Sequence, residues 1–159
     1  MSDTIIIGID PGASGGIAII YPDQKVHALG MPDDADLLDV ISNTAQLATT
    51  EGARVVAYLE LVGGYIAGNP APGSAMFNFG SGWGYIRGLL AAYRIRTELV
   101  RPQQWQAGIP GVKGAADKTA RKRSLKEHAA RLHPTVKVTL KTADALLLAD
   151  YGRRKEAGL

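Results

Sequence analysis

Three observations predict an α/β domain built on a mixed sheet. Short apolar runs alternate with stretches of helical periodicity in the order β-β-β-α-β-α-β-α-α. Two of the runs, 4–10 and 54–60, stay apolar and rich in β-branched residues until each closes on a carboxylate, Asp10 and Glu60. The 159 residues carry neither an internal repeat nor a low-complexity linker, so one domain spanning 1–159 is expected.

Each element has its own warrant. Residues 4–10 read as the first strand. The Gly-rich turn Pro11-Gly12-Ala13-Ser14-Gly15 leads into an antiparallel neighbour over 16–21. Tyr21-Pro22-Asp23 supplies a turn, and 24–30 a third strand. Over 34–50, Leu37, Leu38, Val40, Ile41, Ala45, Leu47 and Ala48 form a helical stripe, with Asp33 or Asp34 placed to cap its start. Residues 54–60 are the fourth strand. A Gly/Pro-rich stretch, 63–73, precedes a helix over 74–93 in which Gly80, Gly84 and Gly88 share one smooth face. Asn78, Ser81 and Arg87 on that helix favour packing against the sheet or against DNA over a membrane contact. Residues 95–100 are the fifth strand and 102–114 a loop. A basic helix over 116–132 stops at His133-Pro134, and a last helix runs from near Thr142 to about Glu156.

Composition narrows the function classes. No apolar run approaches the ~20 residues of a membrane helix, and the N-terminus enters a strand without a basic lead-in, so no secretory signal is expected. There are no cysteines, which excludes disulfides and thiolate metal sites and suits a cytoplasmic protein. Net charge is only +3, but positive charge gathers between Lys113 and Lys141 with few acids interleaved, as on a phosphate-binding surface.

A carboxylate closing a buried strand needs a partner, because an unpaired buried charge is costly. Asp10-Pro11-Gly12 can be turn chemistry alone. Asp144, at the start of an apolar helix, can simply complement the helix dipole. The alternative brings Asp10, Glu60 and Asp144 together. Three convergent carboxylates suit two hard divalent cations, Mg²⁺ first and Mn²⁺ second. Such a pair, about 4 Å apart, activates water and stabilises the leaving oxygen of a phosphodiester.

The ordered set of motifs resembles the RuvC-like Holliday junction resolvases of the RNase H-like superfamily, in their small bacteriophage and bacterial form. It comprises Gly8-Ile9-Asp10-Pro11-Gly12 with Gly15-Gly16, Tyr58-Leu59-Glu60, and Phe77-Asn78-Phe79-Gly80 with Gly84 and Gly88. Trp105, Lys113-Gly114 with Asp117-Lys118, and Ala143-Asp144-Ala145-Leu146-Leu147-Leu148-Ala149 complete it. The first motif also occurs in sugar kinases and actin-like ATPases, but those need two such domains and a far longer chain. The resemblance covers nearly the whole sequence. It implies an RNase H-like, five-stranded mixed sheet flanked by helices, a homodimer, and metal-dependent symmetric nicking of four-way DNA junctions. Asp10 would bridge two metals, with Glu60 and Asp144 completing one shell each. The family's fourth acid, three or four residues before the last one, is replaced here by Lys141 or Leu140. Lys141 shares the face of Asp144 if the helix already includes it, where it would meet a phosphate or stand in for a metal's charge. Asp150 falls about 120° off that face.

For DNA, the basic segment offers Lys118, Arg121 and Lys122, with Lys113 in the preceding loop; a solvated helix face is the plainer reading. Tyr65, in the Gly/Pro-rich stretch, is the candidate for stacking on an opened base pair, as the resemblance implies an aromatic soon after the strand-end Glu. Phe77 and Phe79 serve equally as core or dimer contacts. Trp105 reads as packing its loop on the sheet. His27, His128 and His133 fall outside the carboxylate cluster. The expected activity is that of a crossover junction endodeoxyribonuclease. Two alternatives stand beside it: a junction-binding protein with weak or no nuclease activity, motivated by Lys141, and an RNase H-like nuclease acting on hybrids or other branched nucleic acids.

Overall fold

A computed structural model describes residues 3–62 and 73–159. Five strands form one sheet: β1 (Thr4–Asp10), β2 (Gly16–Ile20), β3 (Val26–Gly30), β4 (Arg54–Glu60) and β5 (Arg96–Val100). Their order is β3-β2-β1-β4-β5. The first three make an antiparallel meander, and β1–β4 and β4–β5 pair in parallel. The sheet is therefore mixed, with β1 at its centre, as the sequence predicts.

Strand parity sorts the side chains into two cores. Ile5, Ile7 and Ile9 of β1, with Ala57 and Leu59 of β4, face α1 (Asp34–Glu51) and α2 (Gly73–Ala92). Ile6 of β1 and Val56 and Tyr58 of β4 face the other layer. That layer holds α3 (Pro102–Trp105), α4 (Lys118–Leu132) and α5 (Ala143–Glu156). Asp10 continues the Ile6 series and Glu60 the Val56 series, so both carboxylates belong to the α5 side.

Local chemistry sets the helix ends. Asp33 caps α1, accepting a bond from the Asp36 amide at 2.9 Å. Gly52 ends that helix in the left-handed region, φ 65°. Asp117 caps α4, accepting from the Ala120 amide at 2.7 Å. The turn before α5 is closed by the Thr142 hydroxyl, which accepts from the Thr139 amide at 2.9 Å. α5 is the buried element of its layer: Ala143, Ala145 to Asp150 and Gly152 are all buried.

Two expectations change. Residues 102–105 form a short helix rather than plain loop. The glycine face of α2 does not pack on the sheet: among the described residues, a Cβ added at Gly80, Gly84 or Gly88 would meet nothing within 4 Å. Ile86 and Leu90 make the buried side of that helix, and Phe77 is 73% exposed.

Candidate active site

The site sits on one cross-strand row at the carboxyl ends of β1 and β4. Gly30 pairs with Gly16, Gly16 with Asp10, and Glu60 with Val100. The last parallel pair of β1 and β4 is Ile9 with Leu59, so Asp10 and Glu60 follow side by side. The helix start completes the row from above. A Cβ at Gly16 would run into the Lys141 carbonyl, so the backbone leading into α5 lies directly on the sheet. Asp144 then falls in the first turn of α5, over the strand ends. The three predicted carboxylates come together.

Their electrostatics show how close they are. Asp10 is pushed up to about 8, first by burial and then by the charges of Glu60 and Asp144, against an opposing pull from Lys122. Burial also raises Glu60, with the Asp144 charge adding to it; a hydrogen bond from Trp105 and the charges of Arg121 and Lys122 act the other way. Asp144 is raised by burial and held back by Lys122 and Arg121. Among the described residues none of the three carboxylates forms an ion pair, and no three His, Asp or Glu side chains are gathered tightly enough to enclose one ion. The site is thus a cluster of carboxylates that offers oxygen donors only. That chemistry suits hard divalent cations and disfavours soft ones.

The basic residues divide. Arg121 and Lys122 are half-buried. They precede Leu125, buried in the α4–α5 core, by one helical turn, which turns them toward the carboxylates. Lys113 and Lys118 are exposed. Lys141 lies apart from the charges that act on Asp10, Glu60 and Asp144. It precedes the helix, whose N-cap is Thr142, and its side chain runs over Gly30, where an added Cβ would lie 3.1 Å from the Lys141 Cδ. Lys141 therefore does not fill the helix-face position its spacing allowed; the position beside the carboxylates is held by Lys122. Asp150 is buried at the far side of α5, paired with Arg153 at 2.8 Å and Arg154 at 3.3 Å. Tyr65 lies outside the described residues.

Sequence reasoning missed one residue. Trp105 is 1% exposed, and its indole nitrogen donates to Oε2 of Glu60 at 2.9 Å. The available signal was a tryptophan one short turn beyond a strand, since a buried indole N–H needs an acceptor. Its choice of Glu60 depends on tertiary placement. A cleft lined by Glu60, Leu61, Val62, Arg101, Pro102 and Gln103 opens beside this pair.

No protein-family model matches the sequence, and no curated protein matches it. Solved structures do. Thermus thermophilus RuvC matches at 13% identity with a TM-score of 0.57, over 97% of this chain and 96% of that one. T. thermophilus RuvC in complex with a Holliday junction substrate matches at 12% identity with a TM-score of 0.62, over 98% of this chain and 96% of that one. At such identity the likeness is one of architecture: the chain has the RuvC fold, the RNase H-like five-stranded mixed sheet flanked by helices.

Proposed function

We propose that the protein is a metal-dependent, structure-selective endodeoxyribonuclease that nicks four-way or branched DNA junctions. The observation that carries this reading is the meeting of Asp10, Glu60 and Asp144 at adjacent strand ends and a helix start, with Arg121 and Lys122 turned toward them. The shared fold with a protein solved in complex with a Holliday junction substrate supports the choice of DNA class.

Two divalent cations, Mg²⁺ or Mn²⁺, would supply the Lewis acidity that activates a water and neutralises the departing oxygen. As the resemblance implies, Asp10 would be shared between the cations, with Glu60 and Asp144 serving one each. Lys122 and Arg121 would receive the phosphodiester, and Lys118 and Lys113 the flanking backbone. The products would carry 5′-phosphate and 3′-hydroxyl ends, as the resemblance implies. Two symmetric nicks need two sites, so the active species is a homodimer. The open glycine face of α2, with Phe77 exposed beside it, is the surface that a second copy would cover. Among the described residues no helix is long and apolar enough to cross a membrane.

The test is cleavage of a synthetic four-way junction with Mg²⁺ or Mn²⁺, beside a linear duplex and an RNA–DNA hybrid. Paired nicks in the junction that vanish with Asp10→Asn support the reading. Preferential cutting of the hybrid would assign the site to RNA–DNA duplexes instead. A second reading rests on one observation: the sequence position from which the resemblance would expect a further acid holds Lys141, which precedes the helix and runs over Gly30, so Asp10, Glu60 and Asp144 gain no fourth carboxylate from it. On that reading the protein binds junctions and cuts them weakly or not at all. Tight binding with no nicking under either metal would select it.

A further inference from the structure

Both tryptophans of the chain donate to the same residue. The Trp105 indole reaches the Glu60 carboxylate at 2.9 Å, and the Trp83 indole reaches the Glu60 carbonyl at 3.4 Å. They come from opposite faces of the sheet, Trp105 from the α4–α5 core and Trp83 from the α1–α2 core. Glu60 is thus held by its backbone from one side and by its side chain from the other.

We infer that Trp105 is a positioning residue for the proposed metal site: its indole N–H fixes Oε2 of Glu60 and so presents Oε1 to an incoming cation. This rests on the nuclease reading above and deepens it.

The geometry allows Trp105 little else. An indole nitrogen donates and never accepts. The ring is 1% exposed and belongs to the same core cluster as Val100, Leu125, Ala143 and Leu146, which limits its freedom to turn. Its own backbone is fixed by the short helix α3, where Pro102 starts the turn and the Gln104 side chain accepts from the Arg101 amide at 2.8 Å. The β4–β5 pairing also continues past Glu60, with the Leu61 amide donating to Val100 at 2.8 Å. Strand end, loop helix and indole form one rigid bracket around a single carboxylate. Donors of this outer kind commonly set about 10- to 100-fold of metal affinity or activity.

The test uses the full chain and Mn²⁺ itself, titrated calorimetrically without DNA, followed by junction cleavage. Trp105→Phe keeps an aromatic ring and removes the donor. A second variant places benzothienylalanine at position 105, which retains the indole shape with sulfur in place of N–H. The expected result is a loss of roughly 10-fold in Mn²⁺ affinity in both. Cleavage should fall at limiting Mn²⁺ and recover at saturating Mn²⁺, with metal-free junction binding unchanged. A residue that acts only by packing would not show that metal rescue in the benzothienyl variant. If the benzothienyl protein binds Mn²⁺ as tightly as the wild type while Glu60→Gln does not, the positioning role is overturned and the nuclease reading survives. If the wild type itself takes up no Mn²⁺ and cuts no junction, both fall.

Discussion

Gly8 lies so close beneath α5 that an added Cβ would stand 2.5 Å from the amide nitrogen of Ala149 and 2.8 Å from its methyl. Neither partner can yield, because the nitrogen is helix backbone and Gly8 belongs to the central strand. This contact sets the height of α5 above the sheet and thereby the height of Asp144 above Asp10. Gly8→Ala is expected to destabilise the fold by about 3 kcal/mol, at the upper end of overpacking costs, and to lower cleavage further than the unfolded fraction explains. Urea unfolding beside specific activity of the folded fraction reads both. Wild-type stability in Gly8→Ala would show that α5 is free to lift.

The charge pocket makes metal-free stability fall with pH. In EDTA, Asp10 is protonated in both folded and unfolded chains below about pH 4. From there to about pH 8 the folded chain keeps a proton that the unfolded chain has released, since burial and the two neighbouring carboxylates hold Asp10 up at about 8. Stability present below the unfolded value is thus lost as pH rises through the folded one. Asp10→Asn removes this group's share. Its melting temperature should exceed that of the wild type by a margin that widens between pH 4 and pH 8. Adding Mg²⁺ at pH 8 should close the margin by stabilising the wild type. Parallel melting curves for the two proteins across that range would contradict it.

Lys118 and Lys122 are one helical turn apart on α4 and should separate into different kinetic effects. Lys118 is exposed, while Lys122 is half-buried and acts on all three carboxylates. Lys118→Ala should weaken junction binding and reduce the slope of log affinity against log salt by about 0.9, the loss of one phosphate contact. Lys122→Met should leave that slope nearly unchanged and lower kcat on the order of 100-fold, as expected for a charge facing the reacting phosphate. Fluorescence anisotropy over a salt series, with single-turnover cleavage, distinguishes the two residues.

Alanine at Gly80, Gly84 and Gly88 tests the α2 surface. None of the described residues would touch the added methyls, so each substitution should stabilise the helix by up to ~1 kcal/mol. If a second copy covers this face, the same methyls hold the two backbones apart and the dimer weakens. The expected outcome is a triple variant with a higher monomer melting temperature and a dimer dissociation constant raised at least 10-fold in sedimentation equilibrium. An unchanged dissociation constant would place the homodimer contact elsewhere.

Much of this could be read before folding, and the limits have physical causes. The strands over 4–10 and 54–60 were legible because buried runs interrupted by one acid leave a clear mark, and parity then put Asp10 and Glu60 on one face. Asp144 followed from its place at an apolar helix start. Lys141 was a matter of two residues of helix boundary: the Thr142 hydroxyl ties off the turn to Thr139, and the helix begins only at Ala143. Lys122 was legible as a cation on a basic helix, but its turn toward the carboxylates depends on how Leu125 seats α4 against α5. The four-residue helix at Pro102 is too short to show a period. The partner of Trp105 lies 45 positions away, a relation no local pattern encodes.

The sequence distance from Asp10 to Asp144 has a consequence for the protein's synthesis. A growing chain acquires the first two carboxylates early, and β1 and β4 can pair as soon as both have left the ribosome. The third arrives only after α4 has been made and α5 has settled onto Gly8 and Gly16. Partial translation products and C-terminal truncations therefore hold two acids with no lid over them.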